Sequence, residues 1–423
     1  MGGLVFSQPG SDGEPALKTP RMPPEVYQKL KAKYLKLFKA MYTIVIVAPE
    51  EVGKTDYGDV DFLVEGPHSD QRPAEIAEGL GAKRFFHNNG NISFAVPLPS
   101  EQNIVGNTEE AYAQIDIRIC QPGTIRWQCF LQSYGDLWQI LGVVNKRVGL
   151  TANDRGLHVR LAELESTDWR GSLVLLTDDP TATMAFLGLD AVAYETGFKT
   201  EEEVFAWIRS GRFFSKTVFE QRQEKSDDRR RVKTRGMYRR FVEEFIPSQP
   251  GVDSSELVVS RGEVLSAALT TFSKQEEYKR VTDTYRAALA EKTLFEKIAN
   301  AIPLTDDKLN LVLRGMKRWV FFDQGRPCLR NEAELNDNKQ PVWSQALSPN
   351  GEDELLRWVK DNWPEVKSRE QGLVNKAKSA RKREREDQER ADRERKEKKG
   401  KGRDEEDEER VMPWNRTVTS QCG

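Results

Sequence analysis

Apolar residues recur at three- and four-residue steps from Pro23 to Met41, which is the period of one face of an α-helix. The run from Tyr42 to Val47 is instead rich in β-branched residues, as in a buried strand. A helix followed by a strand is therefore expected to open the folded part of the chain. Before Pro23, Gly, Pro and Ser are frequent and no apolar period is present, which predicts a disordered lead over residues 1–22.

The next hundred residues alternate between strand and helix patterns. Strand composition occurs at 59–64 and 112–120, and residues 83–86 and 92–98 flank an Asn-Gly turn typical of a hairpin. Helical patterns occupy residues 74–80 and 134–148. The fold class expected for this part is α/β, a mixed sheet with flanking helices.

Beyond residue 150 the pattern becomes mostly helical, apart from a strand at 157–161. Residues 376–410 are nearly all charged, which predicts either a solvated single helix or disorder, because such a segment buries little apolar surface. The predicted divisions of the chain are 1–22, 23–150, 151–250, 251–366 and 367–423. They correspond to the lead, an α/β domain, a helical region with a basic segment, a helical carboxy-terminal domain and a charged low-complexity tail.

Composition restricts the possible partners. The 423 residues carry 65 Lys and Arg against 67 Asp and Glu, so the net charge of −2 gives no overall attraction to nucleic acid, and any basic site must be local. Four cysteines and three histidines are too scattered for a disulfide framework or a zinc site. No apolar run approaches the ~20 residues of a membrane span, and no secretory signal is seen. These features predict a cytoplasmic or nuclear protein with no membrane partner.

One basic segment stands out between residues 212 and 240, where eleven basic residues face four acidic ones and aromatic residues are interleaved. This pattern indicates a surface for RNA or for a triphosphate. The alternative is a solvated helix face whose aromatic residues point into the core. The candidate nucleic-acid-binding residues are Arg229, Arg230, Arg231, Lys233, Arg235, Arg239 and Arg240. The charged tail is a candidate contact for a protein partner.

Three aspartates carry the clearest chemical signal. Asp59 and Asp61 lie two residues apart in a predicted strand, so both carboxylates point to one face. Asp116 lies on a later strand, between isoleucines that take the other face. A lone carboxylate buried in mid-strand would cost several kcal/mol, so these groups are expected to be solvated, paired or bound to a metal. The alternative is a solvated strand after a turn.

If the two strands are neighbours, the three carboxylates form an oxygen-rich site of the kind that Mg²⁺ prefers. Two such ions can clamp the attacking and leaving oxygens of an in-line displacement at phosphorus. Asp59 and Asp61 would then hold the metal that carries a triphosphate. Asp116 would complete the second metal site and help to deprotonate an attacking hydroxyl.

With this pattern of helix, strand, Gly-containing loop, acid-x-acid strand and later acid, the segment from Pro23 to Leu150 resembles the nucleotidyltransferase superfamily of the DNA polymerase beta-like fold. The resemblance implies that Asp59, Asp61 and Asp116 are the catalytic and metal-binding triad. It further implies Mg²⁺ or Mn²⁺ as cofactor and transfer of a nucleoside monophosphate from a nucleoside triphosphate to an acceptor, with RNA favoured.

The loop before the acids departs from the family pattern of Gly-Gly or Gly-Ser. Gly53, Lys54, Thr55 and Gly58 are the candidate nucleotide-binding residues, with glycine allowing close approach and lysine placing a positive charge on phosphate. A rival interpretation makes residues 48–55 a phosphate loop, although a helix should then follow. The alternative function is a non-catalytic protein that binds nucleotide or RNA on the same scaffold.

Overall fold

A mixed five-stranded sheet lies near the amino terminus in the computed structural model, which describes residues 3–10, 13–70, 72–88, 90–98, 110–222, 226–249, 259–348 and 351–408. Its strands are β1 (Tyr42–Ile46), β2 (Asp59–Pro67), β3 (Arg84–Asn88), β4 (Asn91–Pro97) and β5 (Tyr112–Ile119). They are ordered β1-β2-β5-β4-β3; β2 and β5 are parallel, and the other pairings are antiparallel. The predicted mixed α/β fold is confirmed.

Two helices cover one face of this sheet. They are α1 (Pro24–Met41), which begins with a proline in its first turn, and α2 (Pro73–Leu80), which ends at Gly81 in the left-handed conformation with φ of 66°. Phe38 of α1 packs edge-to-face on Phe62 of β2, with ring centres 5.0 Å apart. Val60, Phe62, Ile115 and Ile117 are at most 1% exposed in this core. Because strand residues alternate, their neighbours Asp59, Asp61 and Asp116 lie on the opposite face.

The segment before α1, for which the sequence predicts disorder, packs against the sheet in its described residues 3–10 and 13–22. Phe6 is only 1% exposed and contacts Ala95 and Tyr112 on the acidic face of the sheet. Leu17 N–H donates to the Phe6 carbonyl over 2.8 Å, which closes a loop around this anchor. A single buried aromatic residue has no periodicity, so the sequence pattern does not reveal the contact.

The chain folds as two compact units, Met1–Thr282 and Asp283–Gly423. In the first unit a three-stranded antiparallel sheet follows the mixed sheet: β6 (Leu150–Asn153), β7 (Gly156–Arg160) and β8 (Leu173–Thr177). Its further helices are α3 (Ile125–Gln132), α4 (Leu137–Arg147), α5 (Pro180–Leu187), α6 (Ala191–Thr196), α7 (Glu201–Ser210), α8 (Lys216–Arg222), α9 (Ser226–Thr234), α10 (Gly236–Arg240), a π-helical turn (Phe241–Phe245), α11 (Ile246–Ser248) and α12 (Arg261–Thr271). The predicted boundaries near residues 150, 250 and 366 stay predictions.

The second unit is mostly helical. Its elements, beginning with the helix that contains the division, are α13 (Gln275–Ala301), α14 (Asp306–Trp319), the hairpin β9 (Val320–Asp323) and β10 (Arg326–Leu329), a 3-10 turn (Asp337–Lys339), α15 (Trp343–Ala346) and α16 (Glu352–Glu408). Ile298, Met316, Trp343 and Val359 lie in its core and are at most 1% exposed. This arrangement agrees with the expectation of a helical carboxy-terminal region.

A buried carboxylate joins α14 to α16. Glu370 is fully buried, and its Oε1 accepts hydrogen bonds from Arg314 Nε over 2.7 Å and Arg318 Nη1 over 2.8 Å. Its Oε2 accepts a third from Trp319 Nε1 over 3.1 Å. Both oxygens are therefore satisfied by donors of α14.

Glu370→Gln is expected to lower the free energy of unfolding by about 2 kcal/mol, because an amide lacks the charge and replaces one acceptor with a donor that faces other donors. Urea unfolding measures the difference. The control Glu389→Gln alters an exposed pair with Arg385 and should change stability by less than about 0.5 kcal/mol. Equal effects of the two substitutions would contradict a stabilising role for the buried carboxylate.

The charged tail is helical as far as Glu408, where α16 ends. Ion pairs one turn apart support it, with Lys382 Nζ 3.7 Å from Glu386 Oε1 and Arg385 Nε 3.0 Å from Glu389 Oε1. Of the two predictions for the charged segment, the solvated single helix therefore applies to residues 376–408. Residues 409 and 410 lie outside the described residues. Among the helices described, none is both long and apolar enough to cross a membrane.

Candidate active site

The register of two parallel strands brings the three aspartates together. On β2 and β5, Asp61 lies directly opposite Asp116, and Asp59 lies opposite Gln114. One carboxylate oxygen from each aspartate lies within 4.8 Å of the other two. The predicted triad therefore forms a cluster of three oxygen donors on the open face of the sheet.

Hydrogen-bond donors from neighbouring segments hold two of these carboxylates. Gln114 is 2% exposed, and its Nε2 donates to Asp116 Oδ2 over 2.8 Å and to Oδ1 over 3.1 Å. Ser93 lies opposite Asp116 on β4, and its hydroxyl lowers the pKa of that carboxyl; the Gly3 backbone N–H lowers the pKa of Asp59 in the same way. Within the described parts of the chain, no lysine or arginine forms an ion pair with the three aspartates.

The pKa values of all three groups rise, first of all because the surrounding protein removes hydration. Burial raises the pKa of Asp116 to about 6. The pKa of Asp61 lies well above its usual range, because the charges of Asp59 and Asp116 add to the loss of hydration around its carboxyl group. Burial also raises the pKa of Asp59, an effect that Lys54 opposes. Ionising all three carboxyl groups together therefore costs free energy in the metal-free protein.

This donor set suits a divalent cation. Carboxylate oxygens are the ligands that Mg²⁺ and Mn²⁺ prefer, and a cation among them would balance the charge of the ionised carboxylates. The residues that would hold it are Asp59, Asp61 and Asp116.

The acidic cluster opens into a cleft of about 920 Å³. Residues from both the amino-terminal sheet and the later helices line it: Arg21, Ala48, Pro49, Glu50, Glu51, Gly53, Lys54, Thr55, Asp56, Gly58, Asp59, Asp61, Gln132, Gly135, Asp136, Thr234, Arg235, Gly236 and Arg240. All four predicted nucleotide-binding residues are therefore at the cleft with two of the acids.

The loop between β1 and β2 presents a lysine beside the acids. Lys54 Nζ donates to Glu50 Oε2 over 2.6 Å and lies 4.7 Å from the centre of the Tyr57 ring. Glu50 also accepts a bond of 2.7 Å from the Tyr27 hydroxyl. Gly53 has φ of 75° with open space around its Cα, so a ligand can approach the backbone there. Strand β2, not a helix, follows Thr55, so the rival phosphate-loop interpretation is wrong.

Two arginines of the predicted basic segment reach the opposite wall of the cleft. Arg235 Nη1 donates to Asp136 Oδ1 over 2.7 Å. Arg240 Nη2 donates to Glu51 over 2.9 Å and to Glu201 over 2.6 Å, which ties the β1–β2 loop to α7. These arginines therefore hold the two walls together.

The other predicted basic residues do not line the cleft. Arg229, Arg230, Lys233 and Arg239 are exposed elsewhere on α9 and α10, and Arg231 is half-buried. The interleaved aromatic residues Phe213, Phe219, Tyr238 and Phe241 are at most 5% exposed and belong to the core. The burial of these aromatic residues therefore agrees with the alternative prediction, a solvated helix face whose aromatic residues point into the core.

Several residues at this site escaped the sequence analysis. They are Gly3, Arg21, Glu50, Gln114 and Asp136. Gln114 lies two residues before Asp116 on the same strand, so the alternation that identified the aspartates also places its side chain on their face. Arg21 pairs with Asp56 of the β1–β2 loop. No local sequence pattern predicts this contact, because the two residues are far apart in the chain.

Comparisons with known proteins identify a solved structure of low overall similarity. No protein-family model and no curated protein match the sequence. Among solved structures, the chain is similar to the crystal structure of Leishmania infantum polymerase beta in a ternary P/T complex, with 14% identity and a TM-score of 0.26. The match covers 35% of this chain and 62% of that chain, which is less than two thirds of its length. So low a TM-score carries no argument, and the function of this chain must be argued from the geometry of the acidic site.

Proposed function

We propose that this chain is a metal-dependent nucleotidyltransferase that moves a nucleoside monophosphate from a nucleoside triphosphate to an acceptor, with RNA favoured. The observation that carries the proposal is the convergence of Asp59, Asp61 and Asp116 beside an open cleft of about 920 Å³, which Asp59 and Asp61 line. A packed core at this position would favour a purely structural role for the acids. An open cleft leaves room for a triphosphate and an acceptor together.

In this reaction an acceptor hydroxyl oxygen bonds to the α-phosphorus, the bond from that phosphorus to the β-phosphate oxygen breaks, and pyrophosphate leaves. When bound, a divalent cation supplies charge stabilisation for the oxygens around phosphorus. Asp116, whose pKa of about 6 lies near neutrality, suits the role of accepting the hydroxyl proton. When Lys54 leaves its ion pair with Glu50 and pairs with a phosphate, it supplies positive charge for the triphosphate.

A second candidate is a protein that binds nucleotide or RNA without catalysis. Lys54, Arg235 and Arg240 are each already paired with a carboxylate of the chain. These ion pairs already neutralise part of the positive charge that a bound triphosphate would need. This favours a protein that keeps the fold but has lost catalytic activity. Under this alternative, ligand binding would not depend on a metal.

The test is transfer of label from each of the four α-labelled nucleoside triphosphates to a pool of cellular RNA and protein, with Mg²⁺ or Mn²⁺. The unsubstituted protein should label one acceptor class, and Asp59→Asn with Asp61→Asn should reduce labelling to background. Asp70→Asn, an exposed aspartate away from the cleft, is the matched control and should retain full transfer. No labelling under any condition, with metal-independent nucleotide binding intact, would replace this proposal with the second candidate.

A further inference from the structure

The amino-terminal segment touches the acidic cluster at two points. Gly3 packs against Gly58, the residue before Asp59, and its backbone N–H lowers the pKa of the Asp59 carboxyl. The Val5 N–H donates to Gln114 Oε1 over 3.1 Å, and the other end of that amide donates to both oxygens of Asp116. One short stretch of backbone thus reaches two of the three carboxylates, one directly and one through a single side chain.

The second contact decides which way the Gln114 amide faces. A backbone N–H can only donate, so the oxygen of the amide must face Val5 and its NH₂ group must face Asp116. Turned the other way, the amide oxygen would meet a carboxylate and both would repel. Because Gln114 is 2% exposed, water is not available to correct a wrong orientation.

The segment is fixed tightly enough to impose these bonds. Phe6 is buried against Ala95 and Tyr112, and Thr19 Oγ1 donates to the Gly3 carbonyl over 3.1 Å. Gly3 has φ of 83°, and a Cβ atom at this position would lie 2.1 Å from the Gly58 carbonyl oxygen, in the turn before Asp59. Only glycine allows the backbone to approach the acids so closely.

We propose that Gly3, Val5 and Gln114 are positioning residues of the metal site, an inference that rests on the proposed function. They hold Asp59 and Asp116 in the orientations that direct the remaining lone pairs of the carboxylate oxygens to a shared centre. Without a metal these carboxylates repel one another, so donors fixed by the rest of the fold are needed to keep them converging. Hydrogen bonds to metal-binding carboxylates of this kind are commonly worth 10- to 100-fold in metal affinity.

The test compares Mn²⁺ binding, measured by the electron paramagnetic resonance signal of the free ion, in the full chain and three variants. Gly3→Ala introduces the clash with Gly58. Gly13→Ala is its matched control, since Gly13 also has positive φ, 78°, but open space around it. Gln114→Met keeps the side-chain volume and removes the hydrogen bonds of the amide with Val5 and with Asp116. It tests the proposal even if Gly3→Ala does not fold.

Gly3→Ala and Gln114→Met should each weaken Mn²⁺ binding by about 10-fold or more. Gly13→Ala should bind Mn²⁺ with an affinity within about twofold of that of the unsubstituted protein. Its melting temperature without metal measures the stability lost when alanine adopts a positive φ, a strain that Gly3→Ala shares. Binding by Gly3→Ala and Gln114→Met as tight as that of Gly13→Ala would overturn the positioning role alone. Absence of Mn²⁺ binding in the unsubstituted protein would overturn the metal site, and with it both proposals.

Discussion

Asp61→Asn is expected to make the metal-free protein more stable at pH 7.5 and to abolish its stabilisation by Mn²⁺. Asp61 faces two further carboxylates with no described lysine or arginine paired to them, so its charge costs free energy when no metal is bound. A neutral amide of the same shape removes that cost. The unsubstituted protein should gain about 2.7 kcal/mol at a Mn²⁺ concentration 100 times the dissociation constant, and the variant should gain nothing.

Thermal melting with and without Mn²⁺ measures both effects in one experiment. Asp70→Asn, the same chemical change at an exposed position, should leave the metal-free melting temperature and the Mn²⁺ shift as they are. A metal-free Asp61→Asn protein that melts below the unsubstituted one would show that the carboxylate is held by stabilising contacts instead. In that case the cluster would be a structural feature and not an ion site.

The stability of the metal-free protein should fall as pH rises from about 4 to 7, and Asp116 should account for about 2–3 kcal/mol of this fall. The pKa of Asp116 is about 6 in the folded protein, above its unfolded value of 3.8. Between these values the folded state binds more protons than the unfolded state. Folding is therefore favoured at the acidic end and loses this advantage as pH rises through 6.

Urea unfolding at a series of pH values between 4 and 8, without metal, measures the slope. Asp116→Asn should flatten the curve, and the difference in unfolding free energy between the two proteins should grow with pH and level off above about pH 7. Saturating Mg²⁺ should reverse the trend in the unsubstituted protein, since the metal binds the deprotonated carboxylates. If the unfolding free energies of the unsubstituted protein and of Asp116→Asn changed in parallel with pH, the raised pKa of Asp116 would be contradicted.

The alternation of apolar and acidic residues was enough to predict which face of the sheet carries the aspartates. Ile115 and Ile117 bury one face of β5, so Asp116 must take the other. The pairing of β2 with β5 was only assumed, because the register of two strands separated by about fifty residues depends on packing that a local pattern does not contain. The structure supplies that register, with Asp61 opposite Asp116.

Other parts of the site depend on contacts between distant residues and were missed for that reason. The anchoring of the amino-terminal segment rests on one aromatic residue, Phe6, in a stretch whose composition is typical of disorder. The pairing of Lys54 with Glu50 could be guessed from their spacing, but the bond that Glu50 accepts from Tyr27, on α1, joins residues that no local pattern relates.

The charged part of α16 sets a length scale for whatever is attached to its end. From Gly372 to Glu408 the helix spans about 55 Å at 1.5 Å per residue, whereas a flexible linker of this length would have ends about 35 Å apart on average. Ion pairs such as Arg385 with Glu389 are screened by salt, so raising the ionic strength should loosen this rod toward a coil. The distance between the ends of this segment should therefore fall from about 55 Å toward about 35 Å as the ionic strength rises.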